Sequence, residues 1–375
     1  MPPSSSRWPP EVSKVLIADD SSVVRSQLTK WFQAEPEFEA VFAAEDGEMA
    51  VAQFERVRPD LVILDVEMPK LTGIEAVERI RRLDKRVPVV MFSTLTSAGS
   101  RQTVLALLAG ASDYTVKPGG GVSLDQSRDS LMTKAKALLR YSRPIAAPIG
   151  RKPSPHQGES PQRRFRSQAP QAPVRRPGSS GWLIVVASST GGPAALGEFL
   201  AGVGSNPPAP VLVVQHMPAM FLDILASRLD AKSPLDVRVA AGGEKISSGG
   251  VWLAPAGSHL EVRRIGQVAE LALTDAPPEN SCKPAADVLF SSAAAFAPRV
   301  VGVVLTGMGM DGTRGAKAIS GSGGRIIAQS QESSVVWGMP GSAAAAGVVE
   351  WFGSPAELGQ RAVDLAGQRV ALRSR

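Results

Sequence analysis

One stretch divides this chain before any fold is considered. Residues 140–180 carry nine Lys/Arg against a single acid, Glu159, and are dense in Pro, Gln and Ser. That puts +8 of charge in a chain of 375 residues whose formal charge is +6, so the remainder nets −2. Such a segment buries too little apolar surface to offset the entropy of ordering it, and a flexible linker is expected. Phe165 is the one aromatic residue within 143–180. Without interleaved stacking groups a solvated tether is the better reading, and no nucleic-acid partner is expected. The chain then reads as a disordered tail over residues 1–10, a domain over 11–139, the linker over 140–180 and a second domain over 181–375.

Further exclusions follow from single features. With one cysteine, Cys282, an internal disulfide is impossible and a cysteine-based metal site is not expected. No apolar run reaches the length of a membrane helix, and the start "MPPSSSRWPP" lacks the apolar core of a signal peptide. A cytoplasmic monomer without membrane insertion is expected.

Both domains alternate short Val/Ile/Leu-rich runs with helical patterns, which predicts parallel sheets flanked by helices. In the first domain the strands are expected at 14–18, 38–44, 61–64, 87–92 and 113–116. Ligands of such sheets gather at the carboxyl ends of strands. Those ends carry Asp19 and Asp20, then Asp65, Ser93 and Thr94, and finally Lys117. Carboxylates brought close together repel one another, and a divalent cation with hard oxygen ligands, Mg²⁺, resolves the conflict.

The motifs "ADDS", "ILDVEMPKLTG", "STLT" and "DYTVKP" resemble a bacterial response-regulator receiver domain of flavodoxin-like fold. The resemblance implies that Asp65 accepts a phosphoryl group. It implies that Asp20, Asp65 and the backbone carbonyl of Glu67 hold Mg²⁺, with Asp19 acting through water. Ser93 would hydrogen-bond the phosphoryl group and Lys117 would pair with it. The family also places a cis bond before the proline that here is Pro118.

In the second domain strands are expected at 182–187, 211–215, 251–255, 300–305 and 325–329, with an antiparallel hairpin around Gly266. Ser188 and Ser189 follow the first strand, His216 the second, and Asp311 the strand at 300–305. Serine, histidine and aspartate at one sheet edge suit acyl transfer: the imidazole takes the hydroxyl proton and the carboxylate holds the imidazole. "STGG" and "TGMG" are loops able to present N–H groups to an oxyanion. Spacing leaves two matters open. The serines could instead cap the following helix, and His259 competes with His216 as the base, although His216 directly follows a buried strand.

The segments "SSTGG", "QHMP", "VWLAPAGSHL", "LTGMGMDG" and "SVVWGMPG" resemble chemotaxis protein-glutamate methylesterases in the same order. That family, too, joins a receiver to a Rossmann-like domain. The resemblance implies Ser189 as nucleophile, His216 as base, Asp311 as its orienting carboxylate and the Met308 backbone N–H as oxyanion donor. It implies hydrolysis of glutamate γ-methyl esters, with deamidation of glutamines, on the cytoplasmic helices of methyl-accepting chemoreceptors. A histidine kinase would be the phosphodonor, and Mg²⁺ would serve the receiver alone. The chain departs from the family in Ala187-Ser188, where Gly-Ala is usual, and in "KPAAD" (283–287), where Arg-Pro-Ser-Val-Asp is frequent. Other readings are the same chemistry in a sensory pathway that does not control motility, and a receiver-linked binding module whose hydrolase site is idle.

Overall fold

The computed structural model describes residues 12–142, 181–265 and 268–367. The expected tail, residues 143–180 of the expected linker and the hairpin tip at 266–267 lie outside the described residues.

The N-terminal strands are β1 (Ser13–Ala18), β2 (Phe38–Ala44), β3 (Leu61–Asp65), β4 (Val89–Ser93) and β5 (Asp113–Val116). They form a parallel sheet in the order β2-β1-β3-β4-β5, the flavodoxin-like arrangement. Every residue of β3 and β4 is buried, because helices cover both faces of a parallel sheet. Those helices are α1 (Ser22–Gln33), α2 (Gly47–Val57), α3 (Gly73–Leu83), α4 (Ser97–Leu108) and α5 (Leu124–Ser142). Each starts on a polar cap: Ser21, Asp46, Thr72, Thr96 and Ser123 each accept a backbone N–H that the helix itself leaves unpaired. The last helix, α5, runs to Ser142, into the start of the segment expected as linker.

The second domain contains β6 (Leu183–Ser188), α6 (Gly192–Val203), β7 (Val211–Gln215), α7 (Ala219–Lys232), β8 (Asp236–Val239) and β9 (Gly250–Leu253). It continues with β10 (His259–Ile265), β11 (Val268–Thr274), α8 (Ala286–Ala293), β12 (Val300–Val304) and α9 (Thr313–Gly321). It ends with β13 (Arg325–Gln329), α10 (Met339–Ala345), β14 (Trp351–Gly353) and α11 (Pro355–Gly367). Seven strands pair in the order β14-β13-β12-β6-β7-β9-β8, all parallel. The hairpin β10-β11 is antiparallel and stands apart, with His259 opposite Thr274. Phe199 and Phe290 are fully buried; each such ring contributes about 2–3 kcal/mol through the area it removes from water.

Two edge strands, β8 and β14, are absent from the sequence reading. Both are short, and their burial is broken, so neither leaves a continuous apolar run. The strand expected at 251–255 lies one residue earlier and ends at Leu253. The Lys117–Pro118 bond is not cis: among the described residues the cis peptides are Lys283–Pro284 and Ala297–Pro298.

The domains touch at the β5 edge of the first sheet. Helix α4 packs on α6 and α7, and the Tyr114 ring lies 4.6 Å from that of Phe221. Two hydrogen bonds cross beside the turn that follows β6. The Gly191 N–H donates to the Ser112 carbonyl at 2.9 Å, and Thr190 Oγ1 donates to Asp113 Oδ2 at 2.6 Å.

Candidate active site

The paired serines differ in their place at the end of β6. Ser188 is its last residue and fully buried, and its hydroxyl has no hydrogen-bond partner among the described residues. Ser189 lies in the turn, partly exposed. Its N–H donates to the Thr306 carbonyl at 3.1 Å. Its carbonyl accepts from Gly192 N–H at 2.7 Å and from Gln215 Nε2 at 3.0 Å. Helix α6 is capped by Gly191 in the left-handed region, φ 78°, with no side-chain cap. Neither serine therefore serves as a cap. Gly191 also cannot be replaced, since a Cβ there would meet Val335 Cβ at 2.7 Å.

His216 follows β7, and its backbone N–H donates to the Ser188 carbonyl, so adjacent parallel strands fix both residues. Its Nε2 lies 2.8 Å from Asp311 Oδ2. Asp311 Oδ2 also accepts the N–H of Ala286 at 2.6 Å. Its Oδ1 accepts those of Asp287 and Gly312, each at 3.0 Å. In the neutral ring an ionised acceptor on Nε2 puts the proton there and leaves Nδ1 as the free base. Burial pushes the Asp311 carboxyl up, but the His216 hydrogen bond and the two α8 amides outweigh it and hold the carboxyl below its ordinary range. Burial likewise disfavours the imidazolium. The Asp311 hydrogen bond and the Cys282 sulfur, 3.9 Å from Nδ1, overcome that and push His216 up to about 9. Ser189 Oγ makes no hydrogen bond to His216 among the described residues; such catalytic contacts commonly tighten only with substrate bound.

Ser189, His216 and Met308 line one cavity of about 280 Å³, lined also by Asp113, Tyr114 and Lys134 of the first domain. The backbone N–H of Met308 has no partner among the described residues. Gly307 packs so closely against Ser189 that a Cβ there would meet Ser189 Cβ at 2.8 Å. The competing histidine has a different role. His259 is fully buried, its Nδ1 accepts the Ala285 N–H and its Nε2 donates to the Pro277 carbonyl. With both nitrogens used, His259 braces the segment that presents the Ala286 and Asp287 amides to Asp311.

In the first domain, Asp19, Asp20 and Asp65 bring carboxylate oxygens within 4.8 Å of one another. Lys117 Nζ sits between Asp19 Oδ2 and Asp65 Oδ2, 2.8 Å from each. Burial raises the Asp65 carboxyl to about 6; Lys117 pulls it down and Asp19 pushes it further up. One lysine is not enough to neutralise the cluster, and its oxygen-only donors fit a hard divalent cation. Ser93 is buried, and its hydroxyl is engaged with α4: it donates to the Gly99 carbonyl and accepts from Thr103 Oγ1 at 2.7 Å. Glu67 is exposed at the rim.

The sequence reading did not single out Gln215, whose amide clamps the carbonyls of Ser189 and His216. It also passed over Asn280, whose Nδ2 reaches Asp287 Oδ2 at 2.9 Å and Asp311 Oδ1 at 3.3 Å. Gln215 closes an apolar strand, and that was the available signal. Asn280 lies in a loop whose path no local pattern reveals.

Fold and sites together define a class: a receiver-type α/β domain docked over the strand-end site of a second α/β domain. The response regulator receiver domain family matches residues 15–127, and the CheB methylesterase family matches residues 184–362. A protein-glutamate methylesterase/protein-glutamine glutaminase of Nocardioides sp. is 42% identical, covering 96% of this chain and 97% of its own length. One from Rhodopseudomonas palustris is 40% identical, covering 92% of each. The CheB methylesterase catalytic domain of Thermotoga maritima is 36% identical, covering 49% of this chain and 98% of that chain, with a TM-score of 0.48. The chain belongs to the protein-glutamate methylesterase/protein-glutamine glutaminase family, with a receiver domain preceding a CheB methylesterase domain.

Proposed function

We propose that this chain is a phosphorylation-regulated esterase that hydrolyses glutamate γ-methyl esters on the cytoplasmic helices of chemoreceptors. The observation that carries the reading is the buried Asp311 carboxylate on Nε2 of His216, in a cavity that Ser189 also lines. Ser189 Oγ attacks the ester carbonyl as His216 Nδ1 takes its proton. The Met308 N–H receives the oxyanion. The leaving methoxide takes the proton back from His216 and departs as methanol. Water then adds to the acyl-Ser189 ester with His216 again as base, and the glutamate carboxylate and free Ser189 result. The same attack on a glutamine side chain releases ammonia.

In the receiver, Asp65 is the phosphoryl acceptor, with a chemosensory histidine kinase as donor. Asp20, Asp65 and the Glu67 carbonyl would hold Mg²⁺, with Asp19 acting through water; the bound ion would supply charge neutralisation for the incoming phosphoryl group. Lys117 pairs with that group and Ser93 hydrogen-bonds it. Ser93 now binds α4, and α4 packs on α6 and α7. Drawing Ser93 toward Asp65 therefore loosens the face that covers Ser189. The division at residues 11–139, 140–180 and 181–375 and a cytoplasmic location complete the proposal. No helix among the described residues is long and apolar enough to cross a membrane.

The test is methanol release from a methylated receptor preparation. The native chain should release methanol, and faster once phosphorylated; His216→Ala should release none above background. Equal release by His216→Ala refutes the assignment of the base.

A further inference from the structure

We infer that Cys282 and His216 form a Zn²⁺ site whose occupation switches the esterase off. A lone cysteine in the sequence is no reason to expect metal, but the fold brings it to an imidazole. Cys282 Sγ lies 3.9 Å from His216 Nδ1. Tetrahedral zinc with bonds of about 2.3 Å to sulfur and about 2.1 Å to nitrogen separates those two donors by roughly 3.6 Å. A shift of a few tenths of an ångström completes the pair.

The surroundings are those of a ligating histidine. Such a ring donates its other N–H to a carboxylate, which sets the tautomer and raises the basicity of the metal-binding nitrogen. Asp311 holds that position on Nε2, and its buried negative charge lowers the cost of a cation on the far side of the ring. Asp311 is committed to three backbone amides as well, so it orients the ligand while solvent fills the remaining positions on zinc. A thiolate and an imidazole select zinc over the hard ions that suit the receiver cluster.

The cysteine is also held in place. Glu279 and Cys282 exchange both backbone hydrogen bonds across Asn280 and Ser281, whose φ angles are 50° and 61°, a tight turn of the hairpin type. Asn280 anchors that turn to Asp287 and Asp311. Cys282 is partly exposed, so solvent metal reaches it. On ligation the thiol releases its proton to solvent, and Nδ1 loses the lone pair that would accept the Ser189 proton. Metal binding is independent of the proposed activity; the inhibition rests on it.

The test uses the full-length unphosphorylated chain stripped with chelator, with Co²⁺ as the spectroscopic probe. Native protein should develop a near-ultraviolet thiolate-to-cobalt charge-transfer band that Zn²⁺ displaces. Receiver carboxylates cannot produce that band. Cys282→Ser should lack it, and His216→Ala should weaken the affinity at least about tenfold. Methanol release, normalised to each variant's metal-free rate, should need about tenfold more Zn²⁺ for half-inhibition in Cys282→Ser. No band in the native protein, or a band of equal affinity in His216→Ala, overturns the site. Equal zinc sensitivity in Cys282→Ser overturns the inhibition. If no receptor preparation yields methanol, the cobalt band still decides the site.

Discussion

Removing the carboxylate of Asp113 should activate the enzyme without phosphorylation. Asp113 belongs to the receiver, yet its Oδ2 accepts a hydrogen bond from the hydroxyl of Thr190, the residue after the proposed nucleophile, at 2.6 Å. The contact is buried on both sides. A hydrogen bond to a charged group contributes about 1.5–3 kcal/mol. Since 1.4 kcal/mol is tenfold, Asp113→Ala should weaken the covered form by about 10- to 100-fold. The neighbouring Gly191–Ser112 bond and the Tyr114–Phe221 contact remain and keep the domains associated part of the time. The assay is methanol release from methylated receptor with no phosphodonor present. The Asp113→Ala rate should rise toward that of the phosphorylated native chain, and phosphorylating the variant should add little. An unchanged unphosphorylated rate would refute the idea that this contact holds the cover in place.

Acetyl phosphate with Mg²⁺ should label Asp65, and Asp65→Asn should remove the label; stoichiometric label in that variant would show another acceptor. The pH profile should carry the mark of His216. The base must be neutral, so kcat/KM of the unphosphorylated chain should rise with pH and level off near 9. Cys282→Ala, in chelator, should move that limb down, and an unmoved limb would exclude the sulfur as a cause. The linkage to stability has a definite sign. A histidine raised in the fold above its unfolded value of 6.5 stabilises fully below that value, and the contribution is lost as pH rises through about 9.

What could be read from the sequence, and what could not, follows from the range of the interactions. Strand ends are local features: a buried apolar run stopping on Asp65, on Ser188-Ser189 or on His216 shows both the element and the edge it serves. Parallel topology then brings those edges together. The choice between Ser188 and Ser189 rested on resemblance, and the structure adds a physical reason: the last strand residue points into the core and the next does not. The role of His259 was out of reach, because its two partners, Ala285 and Pro277, come from a loop with no periodic pattern. The docking of Asp113 on Thr190 was invisible for the same reason, spanning 77 residues of chain. The neighbour of Cys282 was hidden in the same way, because the imidazole beside it belongs to a strand end 66 residues away.

In the proposed mechanism Ser189, and not its neighbour, attacks the ester. Methanol release by Ser189→Ala and Ser188→Ala, measured side by side on one methylated receptor preparation, tests it most directly. Ser189→Ala should fall to background, about as low as His216→Ala because members of such a unit do not contribute additively, while Ser188→Ala should keep most of the native rate. Loss of release in Ser188→Ala with activity retained in Ser189→Ala would contradict it.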